Sequence, residues 1–157
     1  MATKTLRAAK HKKPAELILK MNSLVDKDMI RLLYKAHQAG VKITLIIRGA
    51  CCLVTELKDW SEHINAVSIV DKYLEHTRVF YFYHNGKEKV FISSADWMSR
   101  NLDNRSEVSV PIYDTKLQEQ LKEIFETLWS DNTKARLLGS SQRNEYRKQP
   151  GKPKKRA

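Results

Sequence analysis

His76-Thr77-Arg78 sets an imidazole one residue away from a guanidinium, and a strand-like run from Val79 to Tyr83 follows at once. Side chains alternate along an extended chain, so His76 and Arg78 share one face. A second run, Val90 to Ser94, opens into Ser93-Ser94-Ala95-Asp96-Trp97. A hairpin between the two runs brings the Ser93 and Ser94 hydroxyls back beside the histidine and the arginine. Such a group can hold a phosphoryl group and move a proton onto or off it. His-x-Arg alone is a weak signal. Joined to a hairpin and a Ser-Ser-Ala-Asp turn it is much rarer.

The elements that must position these residues can be read in order. Glu16–Met21 (ELILKM) reads as a short apolar strand. Asp26 is placed as an N-cap, with Met29, Ile30, Leu33, Tyr34 and His37 at helical spacing and Gly40 as the C-terminal glycine. Val41–Ile47 (VKITLII) is a second, almost wholly apolar strand, and this order makes a right-handed parallel crossover. Residues 51–63 read as loop or irregular helix, Asn65–Val70 as a third strand, and Arg78–Tyr83 with Lys89–Ser94 as a hairpin turning at Asn85-Gly86. Glu107–Ile112 is a strand closed by Pro111. A last amphipathic helix starts at Asp114 and carries Leu117, Leu121, Ile124, Phe125, Leu128 and Trp129. The expectation is a mixed α/β domain. Ligands gather at the carboxyl ends of strands in open α/β sheets. Lys20, Asn22, Arg48, Ser93, Ser94 and Asp96 fall there, and an antiparallel pairing carries His76 and Arg78 to the same rim.

Net charge narrows the function classes. Of the 157 residues, 29 are basic and 18 acidic, a formal net charge of +11. Residues 1–13 carry +5 and residues 134–157 carry +8, which leaves residues 14–133 at −2. A nucleic-acid-binding domain carries its charge on a folded face, so no nucleic-acid partner is expected. The ends read as basic, solvated tails flanking a domain over 14–133, with a sharper role as collectors for a polyanion. Cys51 and Cys52 are adjacent, poorly placed for a disulfide and too few for a zinc site. With no signal-peptide pattern and no run of membrane-spanning length, a cytoplasmic location is expected, or a peripheral one at the inner membrane face.

Four stretches carry a family resemblance: Leu19–Asp26 (LKMNSLVD), Ile47–Leu53 (IRGACCL), Ser68–His76 (SIVDKYLEH) and Val90–Asp103 (VFISSADWMSRNLD). Together they cover most of residues 14–136, and the chain resembles the last domain of the large, histidine-phosphorylating bacterial polyphosphate kinases. The resemblance implies an α/β phospholipase D-like half, a mixed sheet with flanking helices. Two such halves usually build one active site, each giving a histidine and a cation, and His-x-Arg stands here where phospholipases have His-x-Lys. Members also carry an N-terminal domain, a head domain and another phospholipase D-like half, so Met1 is expected to open a fragment. The histidine that takes the phosphoryl group belongs to that other half. His11, His37, His63 and His84 match no nucleophile motif.

In the reaction the resemblance implies, the terminal phosphoryl of ATP passes reversibly through a phosphohistidine to polyphosphate. Arg48 matches the ATP-contacting arginine, whose planar fork clamps two phosphate oxygens. His76 matches the second essential histidine and suits proton donation or stabilisation of the phosphohistidine. Arg78 is expected to raise phosphate occupancy and to lower the imidazole pKa, with Lys20, Asn22, Ser93 and Ser94 as further phosphate contacts. Magnesium is expected with ATP, without ligands in this chain. ADP, polyphosphate, the remaining domains and a homo-oligomeric full-length enzyme complete the expected partners. Two other readings stay open: a stand-alone polyanion-binding module, supported by the basic ends, and a phosphodiesterase built from two identical halves.

Overall fold

The computed structural model describes residues 2–11, 13–141, 143–148 and 153–156. Seven strands form one mixed sheet in the order β6-β5-β4-β1-β2-β3-β7. Its centre is the parallel set β1 (Ala15–Met21), β2 (Lys42–Ile47) and β3 (Ile64–Ser68). Antiparallel to β1 runs β4 (Arg78–His84), followed by β5 (Lys87–Ser93) and β6 (Ser109–Ile112). At the other edge β7 (Arg136–Leu137) pairs antiparallel with β3.

Strand alternation explains the two layers. Leu17, Leu19, Met21, Ile43, Leu45, Ile47, Phe80 and Phe82 belong to one core with Ile30, Leu33 and Ala36 of α2 (Lys27–Gln38). The opposite set, Ile18, Ile46, Val67, Val79, Tyr81 and Val90, packs against Leu121, Phe125, Leu128 and Trp129 of α4 (Thr115–Trp129). Both helices start on aspartate caps. Asp26 accepts from the amides of Asp28 and Met29 at 3.1 and 3.0 Å, and Asp114 from those of Lys116 and Leu117 at 2.8 and 3.1 Å. The hairpin turns on Asn85 and Gly86 with φ of 48° and 77°, the left-handed pair that matches strand twist.

The structure departs from the sequence reading at both ends. Residues 2–10, expected as tail, form helix α1 (Ala2–Lys10), which lies against β1, β4 and α2 with Thr5 and Ala9 buried. The other basic end is threaded onto the fold by polar bonds. Asp131 accepts from the amides of Thr133, Lys134 and Ala135, and the Arg147 amide donates to the Ala135 carbonyl at 2.8 Å. Arg156 grips Asp71 with two guanidinium nitrogens. None of these ties depends on apolar periodicity, the signal that fades after Asp131. Smaller differences follow local exposure. The third strand stops at Ser68, leaving Val70 in an exposed loop, and Leu117 and Ile124 stay about half exposed on α4. A short helix, α3 (Ser99–Asp103), follows the Ser-Ser-Ala-Asp turn in a stretch where the sequence reading placed no element.

Candidate active site

Three loops knit the rim at the carboxyl ends of β1 and β2. The Leu24 amide donates to Ala50, the Cys52 amide to Leu24, the Trp97 amide to Ser23 and the Val25 amide to Trp97, all within 3.1 Å. Gly49 is needed for the closest approach. Its amide donates to the Asn22 carbonyl at 2.6 Å, and a Cβ there would lie 2.9 Å from that oxygen. The motifs singled out in the sequence are thereby brought edge to edge.

Arg48 and His76 meet on this rim. The Arg48 Nε donates to Asn22 Oδ1 at 3.0 Å, and one terminal nitrogen lies 3.5 Å from His76 Nδ1. A guanidinium only donates, so in this contact Nδ1 is the acceptor. His76 itself is exposed.

The chain flanking His76 is held by two cations that sequence reasoning had assigned to phosphate. Lys20 is buried and donates to the Thr77 carbonyl at 2.8 Å, with Glu75 Oε2 at 3.4 Å. Burial lowers its pKa, and Glu75 offsets part of that effect. Arg78 closes a bidentate pair with Asp96, Nε to Oδ1 at 3.0 Å and a terminal nitrogen to Oδ2 at 3.1 Å. Its remaining terminal nitrogen donates to the His76 carbonyl at 3.0 Å. Arg78 is therefore a backbone anchor for His76 in this structure, its fork already occupied by a carboxylate.

Asp96 was legible as a turn residue on the rim, and the structure makes it the hub. Besides Arg78, its Oδ1 accepts from the amides of Asn22 at 2.7 Å and Ser23 at 3.1 Å. Burial alone would raise its pKa. The Arg78 fork and those two amides outweigh it, holding the carboxyl below the usual carboxylate range.

The two serines go elsewhere. Ser93 Oγ accepts from the Ala95 amide at 3.1 Å and lies 2.7 Å from Ser109 Oγ. Ser94 bonds the Glu107 carboxylate and accepts from the Val108 amide at 3.0 Å. Both tie the end of β5 to the segment entering β6. Asn22 is likewise a contact of Arg48, leaving Arg48 and His76 as the sequence-predicted residues that face the rim together.

A cleft of about 700 Å³ opens between the sheet and α4. Ile46, Ile69, Val79, Leu121, Phe125 and Leu128 line its apolar side, and Arg48, Lys72, Arg156 and Asp71 stand on its polar side. Among the described residues there is no group of three or more His, Cys, Asp or Glu side chains that could hold a metal ion. No helix among them is long and apolar enough to cross a membrane.

Comparison with known proteins identifies the fold and the family. A polyphosphate kinase of Bacillus anthracis is 51% identical over 120 residues, 76% of this chain and 17% of the relative. The crystal structure of polyphosphate kinase from Porphyromonas gingivalis superposes with a TM-score of 0.94 at 43% identity, covering 99% of this chain and 24% of that one. Nuc from Salmonella typhimurium, a phospholipase D family member, shares the fold at 18% identity, with a TM-score of 0.61 over 87% of this chain and 89% of that one. The chain thus has a phospholipase D-like α/β fold and spans about a fifth of the length of its polyphosphate kinase relatives. The family model "Polyphosphate kinase C-terminal domain 2" matches residues 1–157, and the chain belongs to that family.

Proposed function

We propose that this chain is the part of a polyphosphate kinase that grips and protonates the phosphates during reversible transfer of the terminal phosphoryl of ATP to polyphosphate. The observation that carries the reading is the Arg48–His76 contact of 3.5 Å on a rim built from the family's motifs. With its Nε fixed by Asn22, Arg48 turns terminal nitrogens to the site, and two of them can hold two oxygens of one phosphate. Once protonated at both ring nitrogens, which ends the Nδ1–Arg48 contact and frees that arginine nitrogen for phosphate, His76 supplies the proton for the bridging or leaving oxygen. The arrangement needs little covalent chemistry, because phosphoryl transfer depends chiefly on positioning and charge stabilisation. The histidine that becomes phosphorylated stands on the companion half outside this chain, and ATP arrives as its magnesium complex. The working enzyme is a cytoplasmic homo-oligomer, peripheral to the inner membrane face where it meets lipid.

Incubating the 157-residue chain with γ-labelled ATP and magnesium should leave it unlabelled and yield no acid-stable polymer. The same chain should bind inorganic tripolyphosphate, and Arg48→Ala should weaken that binding markedly, to an affinity that titration still reads. A stable phosphoprotein formed by this chain alone would overturn the assignment of the nucleophile to another half.

A further inference from the structure

We propose that Asp96 is a positioning residue that sets Arg48 and His76 from a single carboxylate. Two arms leave it. Through the Asn22 amide, at 2.7 Å, Asp96 fixes the residue whose side-chain oxygen takes the Arg48 Nε proton at 3.0 Å. Through the bidentate Arg78 pair it fixes the guanidinium whose third nitrogen donates to the His76 carbonyl at 3.0 Å. The Ser23 amide, at 3.1 Å on the same carboxylate oxygen, locks the junction of the two arms.

The linkage follows from how each group is confined. Asp96 is 6% exposed, and it stays ionised there because four N–H donors from three residues face it. An ionised, fully bonded carboxylate is a stiff fixture: rotating it about χ2 would leave buried N–H groups without acceptors. Arg48 and His76 lie partly or fully in solvent and have long or swivelling side chains of their own. Anchoring the Arg48 Nε and the His76 backbone removes the freedom that would otherwise be lost when phosphate binds. Asp96 touches neither phosphate nor reacting atoms, so its effect reaches the site only through Asn22 and Arg78. This inference rests on the reading of Arg48 and His76 as the phosphate site.

The test is a double-mutant cycle on the 157-residue chain, read by calorimetric titration with inorganic tripolyphosphate. Asp96→Asn should weaken binding by about tenfold, the worth of one hydrogen bond to a charged group. In an Arg48→Ala background the same substitution should add little, because the arm to Arg48 is gone and the other arm reaches His76, whose part in binding is modest. Nitrogen-15 spectra of the free chain supply a ligand-independent readout. Distinct, slowly exchanging Nε–H signals from both Arg48 and Arg78 should be present and should both be lost in Asp96→Asn. Should that variant not fold, Asn22→Ala removes only the Arg48 arm: affinity should fall with the Arg78 signal intact. The proposal fails if Asp96→Asn binds tripolyphosphate like the parent while Arg48→Ala does not, or if the two losses multiply. It also fails if the Nε–H signals persist in Asp96→Asn. If Arg48→Ala itself leaves binding unchanged, the reading of the site falls, and the Nε–H signals still judge the linkage.

Discussion

Replacing Arg78 by Met should cost far more stability than its place beside a solvent-facing rim suggests. The side chains of Arg78 and Asp96 are only 20% and 9% exposed, and Met keeps most of the stem's volume while removing the charge. The carboxylate then loses two of its four hydrogen bonds and its counter-charge, keeping the amides of Asn22 and Ser23. Breaking a buried pair on one side costs roughly 3–5 kcal/mol, and the surviving amides place this case near 3 kcal/mol. For a chain of this size that loss lowers the melting midpoint by about 6–12 °C. The pH dependence has a definite sign. The Asp96 carboxyl titrates below its ordinary value in the fold. Its stabilisation is therefore complete above the unfolded carboxyl value of about 4 and lost as pH falls through the folded one. Urea unfolding of parent and variant at pH 7 and pH 3 measures both quantities. The gap should be near 3 kcal/mol at pH 7 and should shrink at pH 3. A loss below about 0.5 kcal/mol, the value of a screened surface pair, or a gap that widens in acid, would refute the reasoning.

Phe125 is buried in the small cluster under α4 and stacks on Trp129 with centroids 6.2 Å apart. Phe125→Ala should therefore destabilise the chain by about 3–4 kcal/mol in the same urea assay. The Asp71 carboxyl, hydrogen-bonded by Arg156, should titrate at about 2 by carbon-13 NMR, and Arg156→Ala should return it toward its ordinary value of 3.8. Polyphosphate affinity should fall steeply with added salt, as counterion release demands. Changing both Lys154 and Lys155 to Gln should flatten that slope by up to about two if the C-terminal cations contribute.

The central fold was legible because its determinants are local. Apolar runs gave β1 and β2, aspartate caps bounded α2 and α4, and Asn85-Gly86 marked the hairpin. The ends were misread for a physical reason. A helix with few buried residues, and a segment tied down through Asp131, Arg147 and Arg156, leave no hydrophobic rhythm to detect. At the site, sequence spacing placed Arg48 and His76 on the same rim, where the structure also puts them. Spacing could not say which cations face a ligand and which face the protein. Lys20, Arg78, Ser93 and Ser94 all have the chemistry to bind phosphate, yet partners from distant segments, Glu75, Thr77, Asp96, Glu107 and Ser109, occupy them. Asp96 was underrated for the same reason: its importance lies in whom it meets 74 positions away.

The measurement that bears most directly on the account compares His76→Ala with Arg48→Ala in the full-length polyphosphate kinase that carries this domain, recording ATP affinity and turnover separately. A proton-transfer group acts mainly in the transition state, so His76→Ala should abolish turnover while ATP binding weakens only modestly. A phosphate clamp acts in both states, so Arg48→Ala should lose affinity and turnover together, and Arg48→Lys should recover only part of either. If His76→Ala instead loses ATP binding as severely as Arg48→Ala, His76 is a ligand contact and the division of labour on this rim is wrong.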